Sequence, residues 1–485
     1  MTKDIIAGLE PKLLWEQFYE ITQVPRPSKK EEKILNHLKS FCNKNGIQFK
    51  QDATGNLLLS IPATSGKEES PIIVLQAHID MVCEKNKGTD FDFENDPLKL
   101  SIENGWIKAE GTTLGADNGI GVAAALAIAI DKDSVHGPLE ILLTVDEETG
   151  LTGAKTIQPD FISGKTLLNL DSEEDGAFYI GCSGGIDTMG EFIPSYDTMF
   201  SNYNSYELLV TGLKGGHSGL EINAGRANAI KLLTRLLSGL RKLDYRIAEI
   251  SGGSKRNAIP REAEAIILLH PEDYSEAKRI IEKYEHAFIF ENKTADNGVK
   301  VNFVEIKKSF DKAFTRQFGE WLTDSLLALP HGVIQMSSDI EGLVETSTNL
   351  ATLKYENDRV FIGTSQRSSI ESSKRYIADS VRSVFVLAHA LVKTGDGYPG
   401  WKPDVNSNVL IKAKEVFRNL FNKEPEVKAI HAGLECGLLG AKYPGLDMIS
   451  FGPTILGAHS PDEKVEIVTV EKFYRLLKEL LKDLV

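Results

Sequence analysis

Residues 71–80 read PIIVLQAHID and 139–148 read LEILLTVDEE; in each, a largely apolar run ends in imidazole or acidic side chains. Runs of this length and texture are what strands buried on both faces show, as in a parallel sheet covered by helices. A third run, 166–170 (TLLNL), leads into Asp171-Ser-Glu173-Glu174-Asp175. Residues 13–22 and 30–45 have helical periodicity. The second is preceded by Ser28 as an N-cap, with Glu31 three positions on. Residues 118–130 form an Ala-rich helix entered through the glycine-containing stretch 115–117. Strand and helix alternate over the first ~185 residues, which predicts an α/β sheet with helices on its faces.

From residue 185 the texture changes. Strands are expected at 206–211, 263–269, 301–306, 350–355 and 359–363, and amphipathic helices at 227–242, 275–285, 311–327 and 371–391. This mixture suits an α+β domain, conceivably of two similar halves, although no sequence repeat marks them. The segment 394–403 (TGDGYPGWKP) reads as a boundary. Beyond it come a helix at 409–422, a short strand at 447–451 and a closing helix at 470–485. The simplest architecture is an α/β domain with a central mixed sheet, built from 1–184 and 399–485. An α+β domain is inserted at 185–398.

A chain of 485 residues exceeds one ordinary core, so two domains agree with its length. Its 41% hydrophobic content suits globular packing, and its net charge of −14 argues against nucleic-acid or anionic-membrane surfaces. Cys42, Cys83, Cys182 and Cys436 are scattered without C-x-x-C pairs, which favours a reducing compartment. Charges break up residues 1–20, and the longest apolar run, 119–130, is too short to span a bilayer. A soluble cytoplasmic protein is expected.

The chemistry gathers at strand ends. In α/β sheets, ligands sit outside the carboxyl ends of the strands, so His78, Asp80, Glu147, Glu148 and Asp171 can converge in one crevice. Asp117 can join from its glycine-rich loop, and His459 and Asp462 follow the strand near the other end of the chain. Singly, each has an ordinary structural explanation. Together, so many carboxylates would repel unless positive charge lies among them, and a pair of divalent cations supplies it. Two imidazoles with several carboxylates suit Zn²⁺, with Mn²⁺ or Co²⁺ as substitutes. Asp80, two positions past His78, can orient the imidazole. Of the adjacent Glu147 and Glu148, one can bind metal while the other takes a proton from water. A loose dinucleotide pattern at 119–124 is set aside, because Asp117 would repel a pyrophosphate.

The stretches LQAHIDMV, GTTLGADNGIG, LLTVDEETGLTGA, LLNLDSEE, KGGHSG, IHAGLECG and FGPTILGAHSPDE run in order along nearly the whole chain. Together they resemble the co-catalytic di-zinc family of peptidases, aminoacylases and carboxypeptidases, and within it the bacterial aminoacyl-histidine dipeptidase branch. The resemblance implies that His78 and Asp171 bind one metal, Glu148 and His459 the other, with Asp117 bridging. It implies that Asp80 orients His78 and that Glu147 is the general base acting through a metal-bound hydroxide. The inserted domain becomes a lid. Its His217 would stabilise the oxyanion, in many relatives within a neighbouring subunit's site. Asn257 and Arg367 resemble substrate-holding positions, and Glu435 could meet the substrate's amino group. Hydrolysis of unblocked dipeptides, Xaa-His among them, by a homodimer is the implied function. A tripeptide aminopeptidase, a carboxypeptidase, an N-acyl amino acid deacylase and a silent binding protein of the same fold stay open as alternatives.

Overall fold

The computed structural model describes residues 3–198 and 201–485. The chain forms two compact units: Met1–Gly181, Pro403–Ala429 and Leu434–Val485 make the first, Cys182–Lys402 and Ile430–Gly433 the second.

The first unit is built on an eight-stranded mixed sheet. At its centre Leu139–Thr144, Ile73–His78, Thr166–Asn169 and Asp447–Ser450 lie side by side and parallel. His78 pairs with Thr144 and Gln76 with Asn169, so the carboxyl ends of three strands finish almost level. Ile73–His78 and Leu139–Thr144 are buried along their whole length, which is why they read as unbroken apolar runs. Leu57–Ile61 and Gln48–Gln51 extend one edge antiparallel. The helix Ala116–Ile130 packs against Ile73–His78 and against Lys12–Thr22. With nearly every side chain buried, it has the low amphipathicity of an interior helix. A separate small sheet orders Ile455–Leu456, Lys464–Glu466, Trp106–Ala109 and Leu100–Glu103.

The expected N-cap at Ser28 is not used as one. The helix begins at Glu32, Glu31 precedes it, and no side chain caps it. Ser28 Oγ instead donates to Asp80 Oδ2 at 2.8 Å, and Glu31 Oε1 accepts from the backbone N–H groups of Lys29 and Asp146. Both side chains serve the turns around the sheet's carboxyl edge rather than the helix.

In the inserted unit the strands form one nine-stranded antiparallel sheet. Its order is Lys300–Ile306, Asn204–Thr211, Ala263–Leu269, Tyr245–Gly252, Val344–Glu356, Arg359–Ser368, Gly184–Phe192 and Leu391–Thr394, with Gly332–Met336 also pairing Val344–Glu356. Two four-stranded runs meet at the single pair Gly252↔Leu353. One hydrophobic core nonetheless contains side chains from both, such as Leu208, Ile267, Leu353 and Phe385. The predicted helix at 311–327 is shorter at its start, because Lys312–Phe314 pairs as a strand with Tyr196–Thr198 before Arg316–Ala328 begins.

Phe385 is fully buried, 6.2 Å from the Phe192 ring and against Gly190, where a Cβ would collide with it. Phe385→Ala should destabilise the inserted unit by about 3–5 kcal/mol, read as a lower denaturant midpoint for its unfolding.

Candidate active site

The level strand ends explain how distant residues meet. His78 closes its strand and is 1% exposed. Asp171 follows Thr166–Asn169 by two residues, and Glu147–Gly150 forms a short turn of helix just past Leu139–Thr144. Asp117 sits at the entry to Ala116–Ile130, where it and Asn118 depart from helical geometry across a cis peptide. The preceding Gly115 has φ +64°, and a Cβ there would strike the Arg26 guanidinium. Asn118 Nδ2 donates to the Leu170 carbonyl at 2.6 Å, which ties the Asp117 turn to the strand bearing Asp171.

Asp117 stands between two histidines. Its Oδ1 is 3.1 Å from His78 Nε2 and its Oδ2 is 3.1 Å from His459 Nε2. Asp171 Oδ1 lies 3.3 Å from His78 Nε2, and Glu148 Oε2 lies 3.0 Å from His459 Nε2. Two potential metal-binding groups result, His78–Asp117–Asp171 and Asp117–Glu148–His459, each with its ligand atoms within 4.8 Å of one another. Glu147 joins His78 and Glu148 in a further grouping. Asp80 ties these parts together. Its Oδ1 is 3.4 Å from His78 Nδ1, and it accepts from the backbone N–H groups of Glu147 at 3.1 Å and Glu148 at 3.3 Å.

The charges show strain that a cation would relieve. Burial raises Asp171 to about 7, with Asp117 and Glu148 repelling it further. Burial also holds Glu147 well above the ordinary carboxylate range, with Asp171, Glu435 and Glu148 adding to it. The imidazoles act as the positive charges. Hydrogen bonds to Asp117 and Glu148 push His459 up to about 11. For His78, burial opposes protonation, yet Asp171 and Asp117 carry it well above its usual value. Burial resists ionisation of Asp117 too, but His459 and His78 outweigh it and hold its carboxyl below the usual range. Asp80 falls to about 2 despite burial, held by His78, Ser28 and the Glu147 N–H. Glu148 Oε1 is buried with no hydrogen-bond partner, and Asp171 Oδ1 has only the 3.3 Å contact with His78 Nε2. Under-satisfied buried oxygens of this kind, beside imidazole nitrogens, fit divalent cations.

Glu435 is 1% exposed, and its Oε2 accepts from Gln76 Nε2 at 2.6 Å and Thr144 Oγ1 at 2.7 Å. Only its Oε1 lacks a partner. Asp462, expected to accompany His459, is exposed; the neighbouring Glu463 is the carboxylate that turns inward, 2% exposed. Glu463 and the buried Arg26 were not singled out from sequence. Glu463 ends the quoted stretch FGPTILGAHSPDE and Arg26 lies outside every quoted stretch; both bind backbone atoms, which leave no side-chain signal.

The remaining expected residues lie in the inserted unit. His217 pairs with Ala258 in a two-stranded ladder, and its Nδ1 accepts from the backbone N–H groups of Gly219 and Leu220 at 3.2 and 3.1 Å. Those donors select the tautomer with its proton on Nε2, and burial followed by Arg367 lowers the ring's pKa. His217 is therefore a neutral donor. Asn257 is exposed, and its carbonyl accepts from the Ser218 N–H. Arg367, 8% exposed, donates from Nη1 to Tyr398 Oη at 2.9 Å. Both Asn257 and Arg367 line a cavity of about 880 Å³ with Asp187 and Tyr398.

Comparison with known proteins places the whole chain in a family. The sequence profile of peptidase family M20/M25/M40 matches residues 74–483. The chain is 42% identical over 481 residues to the cytosol non-specific dipeptidase of Escherichia coli (strain K12), covering 99% of each chain. The crystal structure of aminoacylhistidine dipeptidase from Vibrio alginolyticus superimposes with a TM-score of 0.93 at 41% identity, over 98% of this chain and 97% of that one. The aminopeptidase PepT of Bacillus cereus shares the fold, with a TM-score of 0.57 at 17% identity over 98% and 99% of the two chains. Nearly the whole chain thus carries the family's profile, its fold and a cluster of histidines and carboxylates able to hold metal, and it belongs to peptidase family M20/M25/M40.

Proposed function

We propose that the protein is a two-metal dipeptidase that cleaves unblocked dipeptides, Xaa-His among them. The placement of Asp117 between two histidine–carboxylate groups, with Glu147 beside them, carries the reading. The names of the Escherichia coli and Vibrio alginolyticus proteins support the dipeptide class. His78 and Asp171 would hold one cation and Glu148 and His459 the second, with Asp117 able to serve both groups. Zn²⁺ is the preferred ion of this N/O donor set, with Mn²⁺ or Co²⁺ able to replace it. Cations bound there would supply Lewis acidity for the scissile carbonyl and the attacking water.

The chain's own groups do the rest. Glu147, made basic by burial and neighbouring carboxylates, takes the proton from water and returns it to the leaving amine. Asp80 keeps the His78 ring in place and, through the Glu147 and Glu148 amides, the two glutamates as well. In the inserted unit, which we read as the lid, His217 Nε2–H donates to the developing oxyanion. Arg367 holds the substrate's terminal carboxylate and Asn257 its backbone. The amino-group role for Glu435 falls to Oε1, the oxygen that Gln76 and Thr144 leave free. The name of the Escherichia coli relative, a cytosol dipeptidase, supports a cytoplasmic location, and a homodimer completes the proposal.

Three outcomes test this. Purified enzyme supplied with Zn²⁺ or Mn²⁺ should release histidine from Ala-His and stop when chelated, leaving N-acetyl-Ala-His intact. Cleavage of the acetylated substrate alone would move the reading to a deacylase. Glu147→Ala should keep its metal while kcat falls ~10²–10⁴-fold; unchanged turnover would remove Glu147 from the mechanism. Metal uptake should also release protons. His459, pushed up to about 11 by Asp117 and Glu148, starts protonated at pH 7 but must be neutral to ligate. Adding Zn²⁺ to metal-free protein at pH 7 in weak buffer should therefore acidify the solution, and His459→Ala should reduce the proton yield.

A further inference from the structure

Glu463 is buried, carries a carboxylate, and makes contacts that the proposed chemistry does not use. Its Oε2 accepts from the backbone N–H groups of Leu114 at 2.7 Å and Gly115 at 2.8 Å. Its Oε1 accepts from those of Ala116 at 2.7 Å and Asp117 at 3.2 Å. One carboxylate thus collects four consecutive N–H groups at the start of Ala116–Ile130, where a helix leaves its amides unpaired and its dipole favours an anion. From the carbonyl side, Arg26 donates to Ile79 O at 3.0 Å, to Asp80 O at 2.8 Å and to Gly115 O. The Asp117 turn is gripped by its amides and by a carbonyl.

We propose that Glu463 is a positioning residue for both metal ions, setting the 114–117 turn so that the two oxygens of Asp117 face the two groups at once. The inference rests on the reading of Asp117 as the shared ligand. It follows from where Glu463 is mounted. Residues 457–463 form the loop of a hairpin whose strands Ile455–Leu456 and Lys464–Glu466 pair antiparallel, so the ligand His459 and the clamp Glu463 belong to one loop. Lys464–Glu466 in turn pairs with Trp106–Ala109, Lys464 opposite Lys108, and Trp106–Ala109 ends four residues before the 114–117 turn. Docking this hairpin therefore delivers His459 and orients Asp117 in the same event. A simple helix cap would involve one or two amides; here the grip reaches the Asp117 N–H itself.

Calorimetric titration of the metal-free full chain with Zn²⁺, and separately Mn²⁺, tests the idea without reading activity. Glu463→Gln keeps the shape but turns an –NH₂ group toward two of the four N–H donors. Wild type should take up two ions, and Glu463→Gln should bind both ~10–100-fold more weakly. His459→Ala, which removes a ligand of one group only, should weaken chiefly one. Glu463→Asp, with the charge kept and the reach shortened, should fall between wild type and Glu463→Gln. Two ions bound by Glu463→Gln with wild-type affinity, or weakening of one alone, would overturn the proposal. So would a purely structural effect, in which the variant unfolds at a lower temperature but binds both ions normally. If wild type binds fewer than two ions, the shared-ligand reading itself fails and this inference with it. If Glu463→Gln does not fold, Glu463→Asp is read by the same criteria; if neither folds, Glu463 is a folding residue and the proposal is overturned.

Discussion

Everything at the carboxyl edge of the eight-stranded sheet depends on one constraint: more negative charge is buried there than the protein alone can balance. Asp117, Asp171, Glu147 and Glu148 converge on two imidazoles, and Asp80 and Glu435 lie just behind. A buried carboxylate without a positive neighbour costs several kcal/mol, so such a cluster favours any cation that can enter it. Asp117 makes the demand specific. With one oxygen toward His78 and the other toward His459, it belongs to both of the groups that could hold a metal ion. Among the chain's own groups the imidazoles carry the opposite sign, and hydrogen bonds to Asp117 and Glu148 drive His459 up to about 11.

The elements around this cluster can be understood as answers to the same demand. The four parallel strands end almost level, so ligands separated by up to hundreds of residues arrive at one height. Asp80 spends both oxygens on His78, Ser28 and two backbone amides, fixing one imidazole and both glutamates together. Glu463 and Arg26 do the equivalent for the Asp117 turn. These supports are rigid backbone contacts, the kind that hold ligands within the few tenths of an ångström a metal requires.

Much of this was legible beforehand because burial leaves a strong mark on composition. A strand covered on both faces must be apolar throughout, so 71–77, 139–145 and 166–170 announced themselves, and the polar residues ending them marked the site. Other features leave no such mark. Glu463 and Arg26 bind backbone atoms, which carry no side-chain signature, and the exposed Asp462 beside Glu463 looked equally suitable. Ser28 and Glu31 fit a capping pattern, yet tertiary partners claimed both side chains. In the inserted unit, edge-to-edge joining of two four-stranded runs through Gly252↔Leu353 depends on non-local pairing that periodicity does not encode. The tautomer of His217 likewise comes from the Gly219 and Leu220 amides, set by a turn geometry that a Gly-Gly-His-Ser-Gly pattern only suggests.

The most direct test of the central claim is anomalous X-ray diffraction from crystals of the Zn²⁺-loaded protein. The account predicts two peaks about 3.5–4 Å apart, one on the His78–Asp171 side of Asp117 and one on the Glu148–His459 side. A single peak, or two that do not share Asp117, would contradict it.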